Sequence, residues 1–149
     1  MREEGTSYVF NEYVSTPTID SNGQDIDDPE IFTSLDQVPR PSETMMLFEQ
    51  SDENARGAAN DHVHSRGWFN ITTGRGDFVK ILGEIEPDRH RQGAIPHSPQ
   101  ISNNLRRTRY DRTAGSANYL YCDTHVKSIP AARIKGWAES GFNFAKPLL

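Results

Sequence analysis

Apolar residues in this 149-residue chain come in short bursts between long polar stretches. The first burst, Ser7-Tyr8-Val9-Phe10-Asn11-Glu12-Tyr13-Val14, is aromatic and β-branched and reads as a half-buried strand. Ser15 to Glu30 reads as a loop, with Pro17, Asn22-Gly23 and Pro29 among acidic residues. Ile31 to Leu35 suggests one helical turn, which Pro39-Arg40-Pro41 would stop. Ser42 to Gln50 is the most apolar run and has the length of a central strand. Ser51 to Ser65 is polar and loop-like. Gly67 to Thr72 predicts another strand, and Asp77 to Gly83 fits strand or helix equally.

Asp88 to Ala114 is polar and arginine-rich, without apolar period, and predicts an extended surface excursion. Two short apolar strands then fold back on each other in Ser116 to Pro130, around Cys122-Asp123-Thr124-His125. A two-residue turn there would want Asp-Gly or Asn-Gly, because both central residues need positive φ. Thr124, β-branched, is poorly suited to that. After Pro130, Ile134, Trp137 and Ala138 share one face of a short helix over Ala131–Glu139, and Gly141 can end it. Phe142, Phe144 and Pro147 form an apolar tail expected to dock on the body. No strand–helix alternation or long repeat is present, so the chain reads as a single α+β domain, residues 1–149. It has a small antiparallel sheet, long loops and a short C-terminal helix.

Composition narrows the function. Hydrophobic residues make up 34% and mean hydropathy is -0.73, which allows one modest core. Net charge is -5 with a pI near 5.5, against a nucleic-acid partner, whose phosphates call for a basic surface. The single cysteine, Cys122, excludes an internal disulfide. No apolar run reaches the roughly 20 residues of a membrane span. Arg2-Glu3-Glu4 does not look like a signal peptide, so the chain as written is expected to stay soluble where it is made.

Several residue sets carry candidate chemistry. Asp20, Asn22, Asp25 and Asp27 could supply oxygens to calcium, although the spacing is not that of an EF-hand and a solvated acidic loop is the plainer reading. His62 and His64 would share a face on a strand, beside Asp61, but zinc needs three or four ligands. Cys122 near His125 could suggest a thiol nucleophile, although a cysteine in an apolar strand is more often inert. Trp68, Phe69, Trp137, Phe142 and Phe144 could form a sugar-binding platform or simply the core. Arg75-Gly76-Asp77 is an adhesive tripeptide that arises easily by chance. No nucleophile elbow is present, and the expectation is a protein that is not an enzyme.

One ordered set of motifs goes further. Ser7-Tyr8-Val9-Phe10-Asn11 is followed by Pro41-Ser42-Glu43-Thr44 and an apolar strand. Then comes Asp-Arg-x-x-Gly-x-Ala-Asn-Tyr-Leu-Tyr-x-Asp-x-His-Val over 111–126. This resembles the C-terminal globular part of type II secretion pseudopilin-like and prepilin-type proteins. Many of these carry a His, nine residues, then Asp-Gly-His-Val at a closing hairpin. Here Thr113 stands in place of that His and Thr124 in place of that Gly. The resemblance implies a pilin-like head lacking its N-terminal pilin helix. It implies a structural subunit of a type IV pilus-like or secretion pseudopilus-like filament, extracellular or periplasmic at the cell surface. Its partners would be copies of itself or an apolar pilin helix supplied in cis or in trans. It would meet the membrane only through that helix and need no cofactor. Packing would fall to Asn118, Tyr119, Leu120, Tyr121, Asp123, His125, Val126 and Trp137, together with the strand 43–50 and the terminal segment 137–149. Such a head should stay monomeric alone and polymerise when joined to an apolar helix. The alternative is a secreted binding module for carbohydrate or a metal ion.

Overall fold

The computed structural model describes residues 8–15, 18–19, 21–26, 29–51, 61–90 and 112–148. Its frame is a sheet of five strands: β1 (Tyr8–Asn11), β4 (Met45–Glu49), β5 (His62–Val63), β6 (Ser116–Tyr121) and β7 (Val126–Pro130), in the order β5-β1-β4-β6-β7. A separate ribbon pairs β2 (Thr18–Ile19) with β3 (Asp25–Ile26). Among the described residues there are two helices, α1 (Phe78–Glu84) between β5 and β6 and α2 (Ala131–Ser140) directly after β7. The α+β class is as expected. All pairings are antiparallel except β1 with β5, which is parallel.

Alternation along the strands divides the sheet into two faces. Val9, Phe48, Tyr119 and Ile129 point inward and are almost fully buried. They meet Trp68, Ile81, Ile134, Ala138 and Phe144 in one core on the side of the two helices. Its centre is aromatic: Phe48 lies 5.6 Å from Trp68 and 6.0 Å from Tyr119 between ring centroids, and Trp68 lies 5.7 Å from Phe144. Edge-on and tilted arrangements of this kind are those the ring quadrupoles favour. The tail docks as expected, carrying Phe144 and Ala145 into the core.

The first strand is shorter than its composition suggested. It stops at Asn11, whose buried side chain starts a 3-10 turn over Glu12–Val14 by accepting from Tyr13 N at 3.3 Å. The same amide donates to Met45 O and Ala145 O, both at 2.7 Å, and accepts from Ser65 Oγ at 2.8 Å. One residue thus ties together β1, β4, the 62–68 region and the tail, with its hydrogen-bonding capacity used in full.

Gly67 to Thr72 is not a strand. A 3-10 turn over Ser65–Gly67 leads into a hydrogen-bonded loop, because Trp68 and Phe69 are drawn into the core from different directions than a pleat allows. Asp77 settles the ambiguous 77–83 segment as helix by accepting from Lys80 N at 3.1 Å as its N-cap. At the far end of α2, Gly141 takes φ +82°, and Phe142 N reaches back to Trp137 O at 2.9 Å, closing the helix as expected.

β4 carries a bulge. Met45 pairs with Tyr121 and Leu47 with Leu120, so Met46 is the extra residue. Beyond Leu47 the two strands part, and residues 85–90 enter the gap. Ile85 bridges Gln50 on one side and His90 bridges Ser116 on the other.

Candidate functional site

The outer sheet face is where the sequence-derived packing residues separate. Register places His62, Phe10, Leu47, Leu120 and Val126 side by side in one row that crosses all five strands. Phe10 is 43% and Val126 61% exposed, and Tyr8, next along β1, is 50% exposed. Leu47, Leu120 and His62 are half-buried. The row is therefore apolar at four of its five positions and lies opposite the helices.

One face of the hairpin is closed by the protein itself. Tyr119 and Tyr121 belong to the core, and Trp137 is half-buried against Phe142 and Phe144 at 5.4 and 6.0 Å. Their inner face is already covered by the chain's own residues. Of the expected packing set, only Leu120, Val126 and Asn118 look outward from the strands, because a period of two sends neighbours to opposite faces. Burial raises the Tyr119 hydroxyl above its ordinary range, with Glu49 adding to the effect, and that hydroxyl has no hydrogen-bond partner among the described residues.

Asp123 and His125 form the tip of the hairpin. Thr124 N donates to Tyr121 O and Tyr121 N to His125 O, both at 2.9 Å, so the loop has three residues rather than two. Such a loop asks for the left-handed conformation at one position only, its third. That position is Thr124, at φ +74°, the one described non-glycine residue with positive φ. The expected difficulty with Thr124 is real, but it arises from this different turn. Around it, Asp123 Oδ1 accepts from His125 N at 3.2 Å and faces His125 Nδ1 at 2.5 Å. The His125 ring stacks on Tyr121 with centroids 4.3 Å apart. The hydrogen bond from His125 holds the Asp123 carboxyl below its ordinary value.

Beside the apolar row lies a polar corner in the gap between β4 and β6. Glu49, buried, accepts from Asn118 N at 2.9 Å, replacing a ladder bond that the parted strands no longer make. His90 Nε2 faces Glu49 Oε1 at 2.9 Å. The Asn118 side-chain amide nitrogen lies 3.1 Å from the same ring nitrogen, so the three side chains meet at one point. Behind this corner Arg112 is buried, with Nε 2.9 Å from both oxygens of Asp88, and it also bonds Glu86. Its neighbours in the Asp-Arg-x-x-Gly stretch carried no periodic signal, so sequence reading missed this clamp and the Asn11 hub alike.

The remaining candidates resolve differently. In the acidic loop, Asp20 and Asp27 lie outside the described residues. Asp25 sits on β3 opposite Ile19, and Asn22 is exposed at the turn that joins β2 to β3. His62 and His64 have ring centroids 5.4 Å apart, but each turns to its own carboxylate. His62 meets Asp61 at 2.7 Å and His64 meets Glu84 at 3.4 Å. Among the described residues no three His, Cys, Asp or Glu side chains converge to hold a metal ion. His97 lies outside them. Cys122 is buried, and burial pushes its thiol up to about 11, with the Asp123 charge adding to it, so it stays protonated at neutral pH. Trp68 and Phe144 are core rather than a sugar platform. Asp77 of the Arg-Gly-Asp string caps α1, and Gly76 donates to Ala138 O at 2.8 Å. No described helix is long and apolar enough to cross a membrane.

No protein-family model matches the chain, and no curated protein or solved structure is significantly similar to it.

Proposed function

We propose that this domain is the globular head of a pilin-like or pseudopilin-like filament subunit, acting through packing rather than catalysis. The observation that supports it is the apolar row on the sheet face opposite the helices. At a strand spacing of ~4.8 Å the row is ~19 Å wide. That exceeds the about 10–12 Å diameter of a helix with its side chains. Among the described residues the helices and tail cover the inner face and none of these elements covers the outer one, which supports the outer face as the seat for an apolar helix, in cis or in trans. Burying a side chain such as Leu120 or Val126 there contributes up to about 1.5–3 kcal/mol. The row contains no Lys, Arg, Asp or Glu to be stripped of water on docking.

The test is Leu120→Glu in cells that make the full native polypeptide, with the shear-released polymer fraction probed for the chain. The expectation is wild-type chain in the polymer, and a variant absent from it whose isolated domain melts as before. A wild-type chain never found in a polymer, or a variant that assembles normally, overturns the reading. The competing reading, a secreted carbohydrate- or metal-binding module, draws on the neighbouring exposed rings of Tyr8 and Phe10. It predicts a calorimetric signal with oligosaccharide or divalent cation that Phe10→Ala weakens or a chelator removes.

A further inference from the structure

We infer that Asn70 is an acceptor for N-linked glycosylation once the chain enters a compartment holding lipid-linked oligosaccharide and its transferase. Asn70-Ile71-Thr72 is the one Asn-x-Ser/Thr triplet in the sequence. Such triplets arise by chance, and what gives one meaning is a surface turn that offers its groups outward.

The loop 70–75 is such a turn. Asn70 N donates to Arg75 O at 2.9 Å, and Gly74 N donates to Asn70 O at 2.7 Å. Asn70 Oδ1 accepts from Thr72 N and Thr73 N, both at 2.9 Å. The carboxamide is therefore held by its oxygen, which leaves Nδ2 unused among the described residues. The two threonines are not equivalent. Thr73 Oγ1 accepts from Arg75 N at 3.4 Å, whereas the Thr72 hydroxyl makes no bond among the described residues. The nitrogen that would be modified and the hydroxyl that identifies the triplet are thus both available. Between them Ile71 is completely exposed, so nothing crowds the approach.

The loop rests against α2, through Gly76 N to Ala138 O at 2.8 Å and through the close approach of Gly74 O to Gly141. It therefore stands on the helical side, and a glycan there would leave the apolar row open. In the transfer, Asn70 Nδ2 bonds to the anomeric carbon of a lipid-diphosphate-linked oligosaccharide. The bond from that carbon to the diphosphate oxygen breaks, the lipid diphosphate leaves with the electron pair, and one amide proton passes to a base of the transferase.

The inference rests on the exported location that accompanies the filament reading, but its test does not need the filament. The full chain is directed into a eukaryotic secretory pathway behind a heterologous signal peptide, and chain both secreted and retained is mapped by peptide mass. The expected result is a glycan increment on the peptide containing Asn70, removed by an amidase that leaves Asp. It should be lost in Asn70→Gln and in Thr72→Ala but kept in Thr73→Ala. Bare Asn70 in the wild-type chain overturns the inference, as does a glycan that survives Thr72→Ala. The Leu120→Glu assembly experiment is independent, so either idea can fail alone.

Discussion

Replacing Thr124 with glycine should stabilise the protein. Thr124 is held at φ +74° by the three-residue loop of the β6–β7 hairpin. The left-handed region brings Cβ against the following carbonyl at a cost of about 1–2 kcal/mol for an ordinary residue. A β-branched side chain belongs at the upper end. Glycine removes the clash but gives the unfolded chain more freedom, a counter-term of about 0.5–1 kcal/mol. The net expectation for Thr124→Gly is therefore a gain of about 1 kcal/mol. For a domain of this size that is about 2–4 °C in Tm. Thr124→Asn should gain less, because asparagine tolerates the conformation better than threonine but worse than glycine. Urea unfolding measures the net effect as a higher midpoint, with an unchanged slope showing that the surface exposed on unfolding is the same. The hairpin bonds between Tyr121, Asp123 and His125 are made by other residues and should persist, visible as an unchanged imidazole environment by NMR. A Thr124→Gly midpoint equal to or below wild type would refute the strain argument.

Other outcomes follow from the same contacts. Arg112→Ala leaves Glu86 and Asp88 buried without their guanidinium, and urea unfolding should register a loss of about 3–5 kcal/mol. Asn11→Ala strips bonds from Met45 O, Ala145 O and Ser65, at ~1–3 kcal/mol for each buried group left unpaired, measurable in the same way. The Asp123 carboxyl, held below its ordinary value of 3.8 by the hydrogen bond from His125, contributes stability above that pH that is lost as pH falls through its folded value. A carboxyl-detected NMR titration should find its midpoint moving up in His125→Ala, and an unmoved midpoint would contradict the hairpin geometry. Cys122, with its thiol pushed up to about 11, should resist iodoacetamide at neutral pH in the folded chain and react once denaturant is added.

The sequence by itself determined the elements whose signal is local. Strand β4 was legible from its apolar run, the hairpin from its alternation, α2 from the spacing of Ile134, Trp137 and Ala138, and its end from Gly141. The discomfort of Thr124 was legible too, since left-handed strain depends on one residue's own Cβ. What only the tertiary structure decided depends on where distant segments meet. The bulge at Met46 shifts the alternation so that Met45 and Phe48 both face the core, and the partnership of Asn11 with Ala145 spans nearly the whole chain. The burial of Arg112 between Asp88 and Glu86 likewise turns a polar stretch into a clamp. Alternation can say that a strand has two faces, but not which one its own chain will cover. Here the aromatic core took the Tyr119 face and left the Leu120 face outward, because Trp68, Phe144 and both helices come to that side from positions no local pattern links.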